Sequence, residues 1–183
     1  MGNAQVYEAK WESIDSRSTP QWFKDAKFGI FIHWGLYSVP AWGPKGSYAE
    51  WYLNGLLNGD TARLKYHEEN YGKDFLYRDF AQLFNPKKYD PSEWAKLFQK
   101  SGAKYVVLTS KHHDGFCLWP SEHSNGYNSF DASSKRDLLG DLNKAVKDEG
   151  LKSGFYYSLY EWQHPDYPSN VTSYVKNYML PQL

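Results

Sequence analysis

The sequence contains a single cysteine, Cys117, among 183 residues. One thiol cannot build an internal disulfide framework, and it excludes a multi-cysteine metal site. Net charge is missing as well, because 21 Lys and Arg balance 21 Asp and Glu. Sequence-independent binding to nucleic acid needs a surplus of cations against phosphates, so no nucleic-acid partner is expected. No stretch approaches the roughly 18 to 20 apolar residues of a membrane span, so no membrane partner is expected either. The longest apolar tracts, residues 28–32 and 105–108, have strand length. No charged segment followed by an apolar one marks a signal peptide. No repeat, linker or charge block divides the chain, and its length suits one domain.

Aromatic rings are what the sequence has in excess. Eight Trp, sixteen Tyr and ten Phe make up 19% of the residues, against a mean hydropathy of −0.74. Rings with polar edges stack on the C–H faces of sugars while their N–H and O–H groups reach hydroxyls. The same rings can simply fill a core, so composition alone leaves both readings open.

Residues 1–19 read as a polar, irregular lead-in. Pro20, Gln21, Trp22 and Phe23 open a short helix with Pro at its first position. Residues 27–35 form an apolar, aromatic run that reads as a buried strand. A loop over 36–47 and a weakly helical, broken stretch over 48–70 follow. Asp90 and Pro91 start a stronger helix that Gly102 stops. Residues 103–110 read as a second buried strand, and residues 138, 139, 142, 145 and 146 form the apolar stripe of a helix ended by Gly150. A third strand is expected over 153–159, and a helix begins at 171. Asn170, Val171 and Thr172 match a glycosylation acceptor pattern. Strands alternating with helices through short connections predict a parallel sheet with helices packed outside it.

In such a sheet the site lies at the C-terminal strand ends and the loops after them. The first strand ends at His33 and Trp34, the second at His112, His113 and Asp114, and the third near Tyr156 to Trp162. A lone histidine at a strand end is more often structural, but three polar clusters at three ends are hard to explain by packing. Adjacent His112 and His113 point to opposite sides in ideal strand geometry, so at least one faces the mouth unless the strand has already ended. The imidazoles and Asp114 are metal-ligand types, but their spacing matches no metal signature, and neither metal nor cofactor is expected. No G-x-S-x-G nucleophile elbow or phosphate-cradling glycine loop occurs. Glu50, Asp114 and Glu161 are the carboxylates near strand ends, and spacing alone does not pick a catalytic pair.

Three groups of residues carry a resemblance. Trp22-Phe23 with Gly29-Ile30-Phe31-Ile32-His33-Trp34-Gly35, Ser38-Val39-Pro40 and Glu50-Trp51-Tyr52 form the first. Ser101-Gly102-Ala103-Lys104-Tyr105 through Thr109-Ser110-Lys111-His112-His113-Asp114-Gly115-Phe116 form the second, and Ser158-Leu159-Tyr160-Glu161-Trp162 with His164-Pro165 the third. In this order they resemble the start of the catalytic domain of the α-L-fucosidases, the retaining glycoside hydrolase family 29. The resemblance covers nearly the whole chain from about residue 11.

The resemblance implies a TIM-barrel-like (β/α)8 architecture and a fucose-containing glycan as substrate. It implies that His33 holds the fucose ring, that Glu50 and Trp51 hold sugar hydroxyls, and that His112 and His113 contact fucose. It implies the same for Tyr156 rather than Tyr157, which alternation would aim at the outer helices. Trp34 is assigned to the sugar pocket or to the barrel core. The family's nucleophilic Asp follows the fourth strand in a W-x-D-G segment, and its acid/base lies further along; this sequence contains no W-x-D-G. A whole barrel needs about 200 residues at minimum. The expectation is therefore a partial catalytic (β/α) barrel domain over 1–183, supplying about the first three β/α units and stopping before the fourth strand. Its catalytic carboxylates are expected beyond Leu183, so the chain alone is expected to be inactive or strongly impaired. The alternative is a non-catalytic carbohydrate-binding or self-assembling module. Open strand edges, and inward faces of Ile30, Ile32, Val106 or Val107, and Tyr156 without an opposite side, lead us to expect a homo-oligomer or a complementing chain.

Overall fold

A computed structural model describes residues 7–183. Among them, three strands form one parallel sheet in the order β1 (Gly29–Ile32), β2 (Tyr105–Lys111) and β3 (Lys152–Tyr157). Helix Pro91–Lys100 connects β1 to β2, and helix Leu138–Asp148 connects β2 to β3. The cap expected at Asp90 is present, and Asp137 caps the second helix in the same way. The Asp90 carboxylate accepts the N–H groups of Ser92 and Glu93, and that of Asp137 accepts Gly140 N–H. The left-handed turns that follow these helices fall on Gly102 and Gly150, at φ +90° and +73°, where a side chain would be strained. These signals are local, which is why the sequence displayed them.

Register decides which residues face where. Ile30 pairs with Val106, Phe31 with Val107 and Ile32 with Leu108, and directly opposed residues share a face. Val106 and Leu108 are buried against Leu142 and Val146 of the connecting helix. Ile30, Ile32 and Val106 therefore face the helices, which corrects the expected inward placement of Ile30 and Ile32. Of Val106 and Val107 it is Val107 that lies inward, with Tyr156 as expected and with Tyr105 and Phe31 beside them. This inner face is thinly covered: Phe31 is 53% exposed, so β1 is not the buried strand expected. At its lower end the rings of Trp22 and Phe23 cover Tyr105 at centroid distances of 6.2 and 5.5 Å.

Other expectations shift in detail. Residues 1–6 of the expected irregular lead-in lie outside the described residues, and the remainder contains a short helix, Trp11–Asp15. Pro20 precedes helix Gln21–Ala26 as its N-cap rather than opening it. The broken helical stretch is real, with helices Tyr52–Leu57 and Thr61–Tyr71. Asn170 caps the last helical segment by accepting Ser173 N–H.

The stretch between β1 and helix Pro91–Lys100 has its own aromatic nucleus. Phe80 is fully buried, with its ring against those of Tyr52, His67, Tyr71, Phe75 and Tyr77 at centroid distances of 4.8 to 6.0 Å. Much of the aromatic excess is thus core. Removing this ring leaves a cavity that five neighbours cannot fill together. Phe80→Ala is expected to cost about 3–5 kcal/mol, read as a lower midpoint in chemical denaturation; a loss below about 1 kcal/mol contradicts this packing.

Candidate active site at the strand ends

The C-terminal ends of the three strands are tied to one another by hydroxyl groups. Thr109 Oγ1 of β2 accepts Trp34 N–H and donates to Trp34 C=O, both at 3.1 Å, which fixes the end of β1. Tyr37 OH lies 3.3 Å from the same oxygen. Ser110 Oγ donates to Tyr156 C=O at 2.8 Å, which fixes the end of β3. These bonds set the height of His33 and Tyr156 on the inner face.

Register shifts between Thr109 and Lys111. An unbroken period-two strand would put Lys111 on the face of Thr109. Instead Lys111 pairs with Tyr157, and its ammonium lies 4.4 Å from the centre of that ring on the helix side. His112 is thereby turned inward. Its ring lies 5.6 Å from His33, 5.3 Å from Tyr37 and 6.1 Å from Tyr156. Because β2 has ended, His113 joins the same cluster, 4.2 Å from His112.

Trp51 closes one side, 5.9 Å from His113 and 5.3 Å from Trp162. Glu50 precedes it in the turn Ala49–Trp51; the Tyr37 phenol is raised chiefly by burial, and the charges of Asp114 and then Glu50 add to that. Phe31 rests against His33 at 4.7 Å and Tyr156 at 5.8 Å. The structure thus gathers His33, Glu50, Trp51, His112, His113 and Tyr156. It does not bring Trp34 to them. That ring lies on the other face, 4.9 Å from Tyr89, 5.5 Å from Phe84 and 5.6 Å from Trp94, so of its two assignments the core one describes its position. Tyr157 likewise faces outward, donating from its OH to Gln182 Oε1 at 2.6 Å. Phe31 and Tyr37 belong to the cluster without having been singled out, and Trp162, the end of the third strand-end stretch, joins them. Phe31 was legible from its two-residue spacing to His33, whereas Tyr37 and Trp162 arrive through long-range bonds.

The hydrogen-bond network sets the proton on His113. Ser158 Oγ donates to Tyr160 C=O at 2.8 Å and lies 2.5 Å from His113 Nδ1. Its single proton is committed to the carbonyl, so Nδ1–H is the donor and Nε2 is left as an acceptor. His112 Nδ1 is buried with no partner. Burial, then the neighbouring His113 and His33, push the His112 pKa down to about 3, so its ring is neutral. Neutral imidazoles beside aromatic faces suit a hydroxyl-bearing ring with apolar C–H patches.

Two of the three carboxylates considered for catalysis, Asp114 and Glu161, are engaged elsewhere. Asp114 is buried and accepts Tyr77 OH at 2.6 Å and Phe116 N–H at 3.2 Å. Glu161 is buried against Lys111 Nζ at 2.9 Å. Among the described residues no group of three or more His, Cys, Asp or Glu side chains is placed to hold a metal ion.

Comparison with known proteins identifies the family of the chain. A family model described as alpha-L-fucosidase matches residues 1–183. An alpha-L-fucosidase of Dictyostelium discoideum is 49% identical over 167 residues, covering 90% of this chain and 36% of that protein. The tissue alpha-L-fucosidase of Homo sapiens is 47% identical over 161 residues, covering 88% of this chain and 34% of its own length. The crystal structure of Thermotoga maritima alpha-fucosidase in complex with fucose matches with a TM-score of 0.80 at 47% identity, over 91% of this chain and 42% of that one. This chain thus spans about a third of the length of the curated relatives it matches.

Two buried groups pull stability in opposite directions in acid. His112 has a folded pKa below its ordinary 6.5, so its contribution is intact above pH 6.5 and is lost as pH falls toward about 3. Asp114 is the reverse. Burial raises its carboxyl from 3.8 to about 6, against the bonds from Tyr77 and Phe116, so its contribution is intact below pH 3.8 and is lost as pH rises through 6. Asp114→Asn is expected to gain on the parent between pH 4 and pH 7 by about 3 kcal/mol at most, and His112→Gln to lose less than the parent on acidification. Denaturation at the two pH values checks both; parallel pH profiles for parent and variants contradict the assignments.

Proposed function

The chain belongs to the α-L-fucosidase family, and on that premise we propose that its inner-face cluster is one wall of a fucose site. The protein is read as an enzyme that hydrolyses terminal α-L-fucosyl residues of glycoconjugates with retention. The carrying observation is the convergence of His33, His112 and His113 from two strand ends with Trp51 and Tyr156 on one face. The Thermotoga maritima relative is described with fucose bound, and its framework matches this one. The histidines and Glu50 take the sugar hydroxyls. Trp51, Tyr156 and Phe31 supply apolar surface for its C–H faces. Trp34 acts indirectly, through the backbone bonds to Thr109 that hold the end of β1.

Retaining hydrolysis needs two carboxyl groups about 5–5.5 Å apart beside the bond that breaks. Asp114 and Glu161 are both consumed by buried partners, so the nucleophile and acid/base are proposed to come from outside these residues. That supports reading 1–183 as part of a TIM-barrel-like (β/α)8 catalytic domain, whose sites lie at C-terminal strand ends. Among the described residues β1 and β3 are both sheet edges. With Phe31 exposed beside them, they suit further strands from a complementing chain or a second copy. The other reading, a non-catalytic fucose-binding or self-assembling module, is favoured by the lack of a free carboxylate pair in the cluster.

Ligand-observed NMR on the chain is expected to show weak binding of L-fucose and a smaller response to D-galactose. His113→Ala removes one hydrogen bond and is expected to weaken fucose binding about fivefold. Release of phenol from an aryl α-L-fucoside by the chain alone is expected to be absent. Equal response to both sugars contradicts the site, and robust turnover contradicts the assignment of the carboxylates.

A further inference from the structure

A buried cation lies one residue before the paired histidines, on the opposite face of the sheet from the sugar cluster. The Lys111 side chain is fully buried, and its Nζ donates to Glu161 Oε2 at 2.9 Å. Rings enclose the ammonium, with centres at 4.4 Å for Tyr157, 4.9 Å for Tyr178 and 5.8 Å for Tyr174. Tyr178 OH donates to the other carboxylate oxygen of Glu161 at 3.1 Å. Glu161 lies flat on Gly115, where a Cβ would sit 2.6 Å from its Oε1.

Taking a lysine and a carboxylate out of water is expensive, and apolar residues of similar volume stabilise a core as well or better. Stability alone therefore does not account for this pair. What the pair defines is a register between two segments. On the pocket side the same segments are joined by Ser158 N–H to Lys111 C=O at 3.0 Å and Trp162 N–H to His113 C=O at 2.9 Å. The His113 Nδ1 bond to Ser158 Oγ is a third tie, at 2.5 Å. Lys111 and Glu161 thus hold from behind the two segments that carry His113 and Trp162, whose rings lie 5.0 Å apart.

We propose that the buried Lys111–Glu161 pair is a strut that positions His113 and Trp162 for the sugar. Lys111 and Glu161 are positioning residues that do not touch it. The proposal rests on the sugar-site reading of the cluster. Loss of the strut lets residues 158–162 slide along β2, which removes the Ser158 acceptor from His113 Nδ1–H and lets that proton move to Nε2.

The test compares the parent chain with Glu161→Asp and with the double variant Lys111→Met, Glu161→Leu. The aspartate keeps the charge but shortens its reach, so residues 158–162 must move to keep the pair. The double variant removes both charges and keeps apolar volume. Each protein is read by thermal melting, by the His113 ring tautomer in long-range 1H–15N NMR, and by titration with L-fucose and D-galactose. The parent is expected to hold the Nδ1–H form. Both variants are expected to melt cooperatively, to show mixed His113 tautomers, and to bind L-fucose about tenfold more weakly or worse. A folded variant that keeps both the parent's tautomer and its fucose affinity overturns the strut. If the double variant does not fold, Glu161→Asp decides by the same readouts. A parent that responds equally to the two sugars overturns the sugar site instead, and the tautomer still decides the strut.

Discussion

The register shift between Thr109 and Lys111 is the constraint on which the site depends. A strand distributes its side chains to two faces with a period of two, and one irregularity reverses every assignment after it. Before the shift, Thr109 faces inward and holds the end of β1 through Trp34. After it, Lys111 faces the helices and His112 faces the pocket. Without the shift Lys111 would lie on the inner face and His112 would be buried among the helices. One backbone irregularity therefore places a hydroxyl anchor, a buried cation and a pocket imidazole in consecutive layers.

Much of the fold was legible because its signals are local. Asp90 sits next to the N–H groups it caps, and Gly102 and Gly150 sit at the left-handed turns they permit. Face assignment was less legible. Ile30 and Ile32 look like inward residues because they are apolar, yet they pack on the helices, while the inner face carries aromatic Phe31 and Tyr156. Hydropathy does not tell which face of a parallel strand is which when both are apolar. The histidines were legible as chemistry at strand ends. The position of Trp34 was not, because it is decided by Phe84, Tyr89 and Trp94, which lie 50 to 60 residues away in the sequence. Tyr37 and Trp162 reach the cluster through Thr109 and His113 respectively, and no local pattern encodes those contacts.

The site divides its ionisable groups by face. On the inner face, burial and mutual repulsion keep His112 neutral, which suits hydrogen bonding to uncharged hydroxyls. Glu161, on the helix side, and Asp114, buried beyond the end of β2, are satisfied by tyrosine hydroxyls, a backbone N–H and Lys111. Asp114 and Glu161 are thus held by partners within the framework, apart from the pocket rings.

The central claim is that one face of this sheet recognises the sugar and the other does not. The indole N–H signals of the eight tryptophans report on both faces at once in a 1H–15N spectrum. Addition of L-fucose is predicted to move the signals of Trp51 and Trp162, together with the His112 and His113 rings, and to leave Trp34 and Trp94 in place. Shifts at Trp34 and Trp94 with none at the histidines would contradict the account.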